Sequence, residues 1–185
     1  LMRSSAASDV YKRQVYYGTL EIKKTAQGLL IINELSLEAY LEAVVPSEMP
    51  ASYEEQALMA QAVCARTYAV CQIQENSLEK YGVDVDDSVN YQVYNNFGAD
   101  KRTNKAVQDT KGQILCQNGE PITAYYFSTS AGRTSTDEIW GADRSAAYLK
   151  SVELILTRIC HGAAGAWKFP GKLCLLYTSD AADDR

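Results

Sequence analysis

Between Tyr17 and Lys24 the side chains alternate with period two, Tyr17, Thr19, Glu21 and Lys23 interleaving with Gly18, Leu20, Ile22 and Lys24. A turn at Thr25 to Gly28 leads into Leu29-Leu30-Ile31-Ile32, so residues 15–33 read as a β-hairpin. Ser36 then precedes Leu37, Tyr40, Leu41 and Val44 at helical spacing, which predicts a short capped helix that Pro46 stops. The next five residues, Pro46-Ser47-Glu48-Met49-Pro50, are expected to be a loop stiffened by a proline at each end. Ser52 and Glu55 have the spacing of a capping box, in which the serine hydroxyl and the glutamate carboxylate each bind the other's backbone N–H. They open the longest predicted helix, roughly Tyr53 to Gln74. Within it Leu58, Ala62, Ala65 and Ala69 form a narrow stripe of small residues that lets another element approach closely, which puts this helix at the centre of the fold.

Residues 76–112 are polar and irregular apart from a second helix expected from Lys101 to Thr110. Gln113 to Cys116 and Ile122 to Phe127 read as a hairpin across Asn118-Gly119, a pair suited to the positive φ angles of a tight turn. The following Ser128-Thr129-Ser130-Ala131-Gly132-Arg133-Thr134-Ser135 is rich in hydroxyls and unsuited to a helix. Loops of this kind either satisfy their own backbone or bind sugars and phosphates. The expected class is α+β: a single domain of antiparallel hairpins around one central helix.

Composition narrows the function. The chain has 185 residues, 46% apolar and 22% charged, with 18 basic against 23 acidic side chains. A net charge of -5 with scattered Lys and Arg excludes a nucleic-acid binder, which needs a basic stripe. The five cysteines, at 64, 71, 116, 160 and 174, show no close pair, and there is one histidine, so neither a disulfide framework nor zinc-finger spacing is present. No apolar run is long enough to span a bilayer. Any anchor or secretion signal is expected to lie outside this stretch.

The two ends read differently from the middle. Ser4 to Gln14 resembles the translation of a sequencing-library adapter, and Cys174 to Asp183 resembles the reverse complement of the same adapter. Residues 1–14 and 174–185 are therefore expected to be adapter-derived tails of low contact density, outside the fold. Residues 154–173 have neither helical nor strand periodicity, and a shift of one register gives a sensible continuation, which points to a frameshift near Leu154. The fold is then truncated or scrambled at its C-terminal end, the credible domain is 15–153, and His161 is an artefact without a catalytic role.

Without a usable histidine, proton transfer falls to a carboxylate, Tyr, Lys or Cys. Glu48 lies between two prolines, among Val44, Val45 and Met49, ahead of a predicted helix amino terminus. Apolar neighbours raise a carboxyl pKa by desolvating its charged form, while a following helix dipole lowers it. Glu48 is thus either a general acid or a cap or salt-bridge partner of the next helix. Arg66 lies in the small apolar run Ala62-Val63-Cys64-Ala65 and needs an acid partner if buried. It either orients Glu48, holds a substrate oxygen, or faces solvent. Cys64 and Cys71 read as small core residues. Asp84, Asp86 and Asp87 lack the glycine and distal glutamate of a calcium loop and read as a solvated acidic turn.

From Tyr40-Leu41-Glu42-Ala43-Val44-Val45-Pro46-Ser47-Glu48-Met49-Pro50 into Glu55-Gln56-Ala57-Leu58-Met59-Ala60-Gln61-Ala62-Val63-Cys64-Ala65-Arg66-Thr67-Tyr68-Ala69, the chain closely resembles the stage II sporulation protein D, or SpoIID/LytB, family. Further blocks occur in order: Gln92-Val93-Tyr94, Tyr126 to Ser135, Glu138-Ile139-Trp140-Gly141 and Tyr148 to Glu153. The resemblance implies a bacterial cell-wall lytic transglycosylase acting on glycan strands stripped of stem peptides, beside an amidase that strips them. It places the catalytic glutamate on Glu48 and a supporting arginine on Arg66. Ser47, Gln61, Tyr126, Ser128, Thr129, Ser130 and Trp140 are then candidates for gripping sugar. Some family members carry Cys and His just before the Gln-Val-Tyr block and bind zinc; Asn90 and Tyr91 stand there, so no metal and no cofactor are expected. The implied location is extracytoplasmic, in the wall or anchored to the membrane by a segment absent here. The alternative within the family is a non-catalytic amidase enhancer that binds glycan or a partner amidase; a sugar-binding module is a third reading.

Overall fold

A computed structural model describes residues 2–4, 16–26, 28–88, 90–95, 100–127, 133–134, 148–153, 165–166 and 173–177. Strand β1 (Met2–Ser4) precedes β2 (Thr19–Thr25) and β3 (Gly28–Leu35), which form the expected antiparallel hairpin with Thr25 opposite Gly28. Gly18 leads into it at φ +84, where an added Cβ would lie 2.2 Å from the Glu34 carbonyl oxygen, so only glycine fits. Helix α1 (Leu37–Glu48) starts as predicted: Ser36 adopts an extended conformation and its hydroxyl accepts the Ala39 N–H at 3.2 Å.

Pro46 does not stop α1. The helix runs through Pro46 and Ser47 to Glu48, and the predicted proline-bounded loop is its last turn. Pro46 removes the donor that would meet the Glu42 carbonyl, while beyond it Ser47 Oγ donates to the Ala43 carbonyl at 2.7 Å and the Met49 N–H closes on Val45 at 3.0 Å, holding the last turn. The chain bends only at Met49, before α2 (Glu55–Glu75).

The predicted capping box is absent as well. Ser52 is exposed, Glu54 is the N-cap residue and makes no side-chain capping bond, and Glu55 instead pairs with Lys105 at 2.5 Å. The entry to α2 is held from outside, by Arg102 donating to the Ala51 and Tyr53 carbonyls at 2.6 and 2.8 Å. The far end closes at Asn76, in the left-handed region at φ 50.

Short strand β4 (Val85–Asp86) leads to α3 (Lys101–Asp109), which Asp100 caps through the Arg102 and Thr103 N–H groups. Strands β5 (Gln113–Ile114), β6 (Cys116–Gln117), β7 (Glu120–Pro121), β8 (Gly165–Ala166) and β9 (Leu173–Tyr177) complete the order. The hairpin across Asn118-Gly119 forms, between β6 and β7, with both turn residues at positive φ; residues 122–127 continue beyond it without strand pairing. Thr134 and Arg133 lie antiparallel to Val152 and Glu153.

The architecture is α+β, with a five-stranded sheet in the order β1-β2-β3-β9-β4 and two two-stranded sheets, β5-β8 and β6-β7. All ladders are antiparallel except β4 against β9. Helix α2 is the central element, touching α1, α3, β4, β5 and β7. Its predicted stripe is the buried face: Leu58, Ala62, Ala65 and Ala69 have no exposed surface. Ala62, Ala65 and Ala69 pack into a core with Tyr40, Leu41, Val44 and Val45 of α1 and Val107 of α3. Residues 2–4 pair with β2, and residues 173–177 pair with β3 and β4. The continuous apolar run Leu173-Cys174-Leu175-Leu176-Tyr177 pairs along the edge that β3 offers.

Candidate active site

Glu48 ends α1, with the carboxylate half-buried. The extended segment Tyr91–Asn95 crosses that helix end and alternates: Gln92 and Tyr94 point inward, buried, and Val93 points outward. This brings the Val93 N–H to Glu48 Oε1 at 2.9 Å and the Asn95 N–H to Ser47 Oγ at 3.2 Å. The last turn of α1 is thereby bonded to a segment 45 residues further along the chain.

Beneath it lies a tyrosine cluster. Tyr40 stacks on Tyr94, with ring centroids 5.5 Å apart and planes 8° from parallel. The Tyr40 hydroxyl donates to Gln92 Oε1 at 3.2 Å, and Gln92 Nε2 donates to the Ala65 carbonyl at 3.2 Å and to the Tyr126 hydroxyl at 3.0 Å. Tyr126 arrives on residues 122–127, with Tyr125 and Phe127 on either side exposed. It lies near enough to Glu48 to feel its charge.

Burial pushes the Tyr126 hydroxyl well above its ordinary pKa; the Gln92 hydrogen bond pulls it down and the nearby Glu48 charge pushes it up again. Tyr40 is raised still more clearly, by burial first and then by its tyrosine neighbours and Glu48. Tyr68, whose hydroxyl reaches the Asn90 carbonyl at 3.4 Å, is raised by burial and by Tyr125 and Glu75. Glu48 therefore neighbours two phenols, Tyr40 and Tyr126, that stay protonated, and among the described residues no Lys or Arg forms an ion pair with it.

The structure unites Ser47, Glu48 and Tyr126 but not Arg66. That guanidinium is 1% exposed and pairs with Glu38 of α1 through both carboxylate oxygens, Nε–Oε1 3.0 Å and Nη2–Oε2 2.8 Å. It also donates to the Val107 and Gln113 carbonyls at 3.0 and 3.1 Å. It neither orients Glu48 nor faces solvent; it fastens α1, α3 and β5 to α2. Gln61 is buried on α2, its amide nitrogen without a partner among the described residues. Ser128, Thr129, Ser130, Trp140 and His161 lie outside the described residues. Asn90 and Tyr91 hold no metal donor set, and among the described residues no group of three or more His, Cys, Asp or Glu could bind an ion.

Three participants carry no role in the sequence reading: Gln92, Tyr40 and the Val93 N–H. The one available signal is a glutamine inside the run Tyr91-Gln92-Val93-Tyr94, where an inward-facing amide must find partners.

Residues 25–116, which hold Glu48, Gln92 and the three helices, match the family described as Stage II sporulation protein, SpoIID. The chain belongs to that family. It is 44% identical over 103 residues to a Bacillus subtilis protein named Amidase enhancer, covering 55% of this chain and 14% of that protein. It is 38% identical over 136 residues to Stage II sporulation protein D of the same organism, covering 66% of this chain and 39% of the relative. An uncharacterised Brachyspira hyodysenteriae protein is 37% identical over 126 residues, with 66% and 33% covered. The chain thus spans well under half the length of each of these relatives.

Proposed function

We propose that this chain is an extracytoplasmic lytic transglycosylase that cuts peptidoglycan glycan strands, with Glu48 as its one acid–base group. The observation that carries this reading is a half-buried carboxyl, free of cationic partners among the described residues, held by the Val93 N–H at the end of a rigid helix. Glu48 gives its proton to the glycosidic oxygen as the C1–O bond breaks toward that oxygen and positive charge develops at C1. The resulting carboxylate then takes the proton of the same sugar's 6-hydroxyl, whose oxygen bonds to C1 and closes a 1,6-anhydro ring. No second carboxylate or activated water enters, unlike the two-carboxylate hydrolases. Tyr126 and Ser47 border the reacting group.

The second reading, an amidase enhancer that does not cut, is supported by the name of the 44% identical relative. Peptide-free glycan strands discriminate. Cleavage predicts anhydro-muramic ends by mass spectrometry, with the rate falling on the order of a hundred- to ten-thousandfold in Glu48→Gln. Stimulation of a wall amidase that survives Glu48→Gln, with no anhydro product from the unaltered chain, establishes the enhancer instead.

A further inference from the structure

We propose that Tyr125 and Phe127 form a sugar-stacking platform beside Glu48, on which the chain grips the apolar faces of pyranose rings in a glycan strand. The platform rests on the glycan reading of Glu48. Both residues are more than half exposed, Tyr125 at 56% and Phe127 at 58%. Single exposed apolar side chains are ordinary, whereas exposed apolar side chains that gather in one place mark a contact surface. They gather here. Between the two lies Tyr126, whose hydroxyl accepts Gln92 Nε2 at 3.0 Å, and the residue after Gln92 is Val93. Val93 is itself exposed, and its N–H binds Glu48 Oε1 at 2.9 Å. Tyr148, also exposed, joins the same segment by accepting the Thr123 N–H on its hydroxyl at 3.2 Å.

The two rings stand on a pinned backbone. The Ile122 N–H binds the Leu115 carbonyl at 3.1 Å, and the Ile122 carbonyl accepts the Cys71 thiol at 3.1 Å. Ala124 is buried, and the Tyr125 N–H closes on the Thr123 carbonyl at 3.1 Å. Rings presented from a held backbone lose little freedom when a ligand meets them, so their contact area is converted to affinity efficiently. The chemistry names the ligand. Residues 91–95 and 122–127 contain no Asp, Glu, Lys or Arg, so the surface they make suits a neutral partner. A pyranose has a face of C–H groups edged by hydroxyls: the face packs on an aromatic ring, and the Tyr125 phenol bonds the edge. A stable protein partner needs about 20–30 residues a side, against which a strip of two rings with Val93 and Tyr148 is narrow.

The test uses the full chain carrying Glu48→Gln, so that a peptide-free glycan oligosaccharide is bound and not cut. In calorimetry its affinity is expected to fall about three- to tenfold in Tyr125→Ala and again in Phe127→Ala, while Tyr125→Phe, which keeps the ring, stays close to its parent. Leu29→Ala, an exposed apolar side chain of β3, serves as control and should change nothing. In proton NMR the Tyr125 and Phe127 ring signals should shift as the oligosaccharide is added, while those of Tyr17 do not. Ring signals that stay in place overturn the platform, as does an absence of binding, or a folded double variant that binds like its parent. Should the substitutions unfold the chain, the ring shifts decide alone. Unchanged glycan binding with loss of amidase stimulation in the double variant also overturns the platform and makes the strip a protein contact. Cutting is read separately, with Glu48 restored. Binding that depends on both rings without anhydro ends keeps the platform and removes the transglycosylase reading; cutting that ignores both rings does the reverse.

Discussion

A guanidinium with 1% of its surface exposed keeps its charge inside the core because acceptors from several elements surround it. Glu38 supplies the counter-charge, and its second task is to accept the Gly112 N–H at 3.3 Å. Removing one partner of such a pair leaves the other desolvated and unbalanced, which costs about 3–5 kcal/mol. Glu38→Gln is therefore expected to lower stability by about 3 kcal/mol in urea denaturation. The glycan-cutting rate per folded molecule should be unchanged, since no hydrogen bond links the pair to Glu48. A rate that falls in step with Glu48→Gln would return Arg66 to the reaction. The sequence marks Arg66 as a residue needing an acid, because its neighbours are small and apolar. It does not mark which acid, since Glu38 lies 28 residues away and nothing in its own surroundings distinguishes it from Glu42. Glu48 is legible as a placed carboxyl for the opposite reason: its flanking residues are local. The donor that holds it is the Val93 N–H, 45 residues away, and a long-range contact of that kind leaves no periodic trace.

At the scale of elements, two serines with similar sequence credentials behave differently. Ser36 and Ser52 each precede a helix, yet only the Ser36 hydroxyl accepts a helix N–H. Ser36→Ala should cost about 1 kcal/mol, the usual worth of an N-cap, whereas Ser52→Ala should change stability by less than about 0.5 kcal/mol. Paired urea titrations check both, and equal losses would mean that α2 begins at the predicted capping box after all. The box fails because Arg102 and Lys105 of α3 bind the α2 entry and take Glu55 as a partner. Pro46 shows the same limit from the other side. Read locally, proline ends a helix; here a serine hydroxyl and a terminal N–H hold the last turn, so α1 carries Ser47 and Glu48 as helical residues. The hairpins, α1, α2 and α3 all stand in the periodicity. What periodicity misses is where an element stops when a tertiary contact supplies the missing partner.

For the whole molecule the open question is what β9 contributes. The described core runs from Leu35 of β3 to Tyr126 and is built on three helices, so helix packing around Ala62, Ala65 and Ala69 supplies most of its apolar contact. Strand β9 adds backbone pairing, opposite Ile31 to Leu35 of β3 on one side and Val85 and Asp86 of β4 on the other. Against that gain stands Asn33, fully buried opposite Leu175, with neither polar atom of its amide partnered among the described residues. An unsatisfied buried amide costs about 1–3 kcal/mol, comparable to the net worth of two or three backbone hydrogen bonds. Ending the chain at Glu153 removes both terms at once and leaves β3 with an open edge. The shortened protein is therefore expected to keep its helical circular dichroism and one cooperative unfolding transition, at a modestly lower midpoint. The bare edge of β3 should appear as association that grows with protein concentration in sedimentation, since unpaired strand edges recruit other chains. Loss of the helical signal on truncation would show that β9 is integral to the fold. An unchanged midpoint with no association would instead mean that the β3 edge needs no cover, as the reading of residues 174–185 as a tail requires.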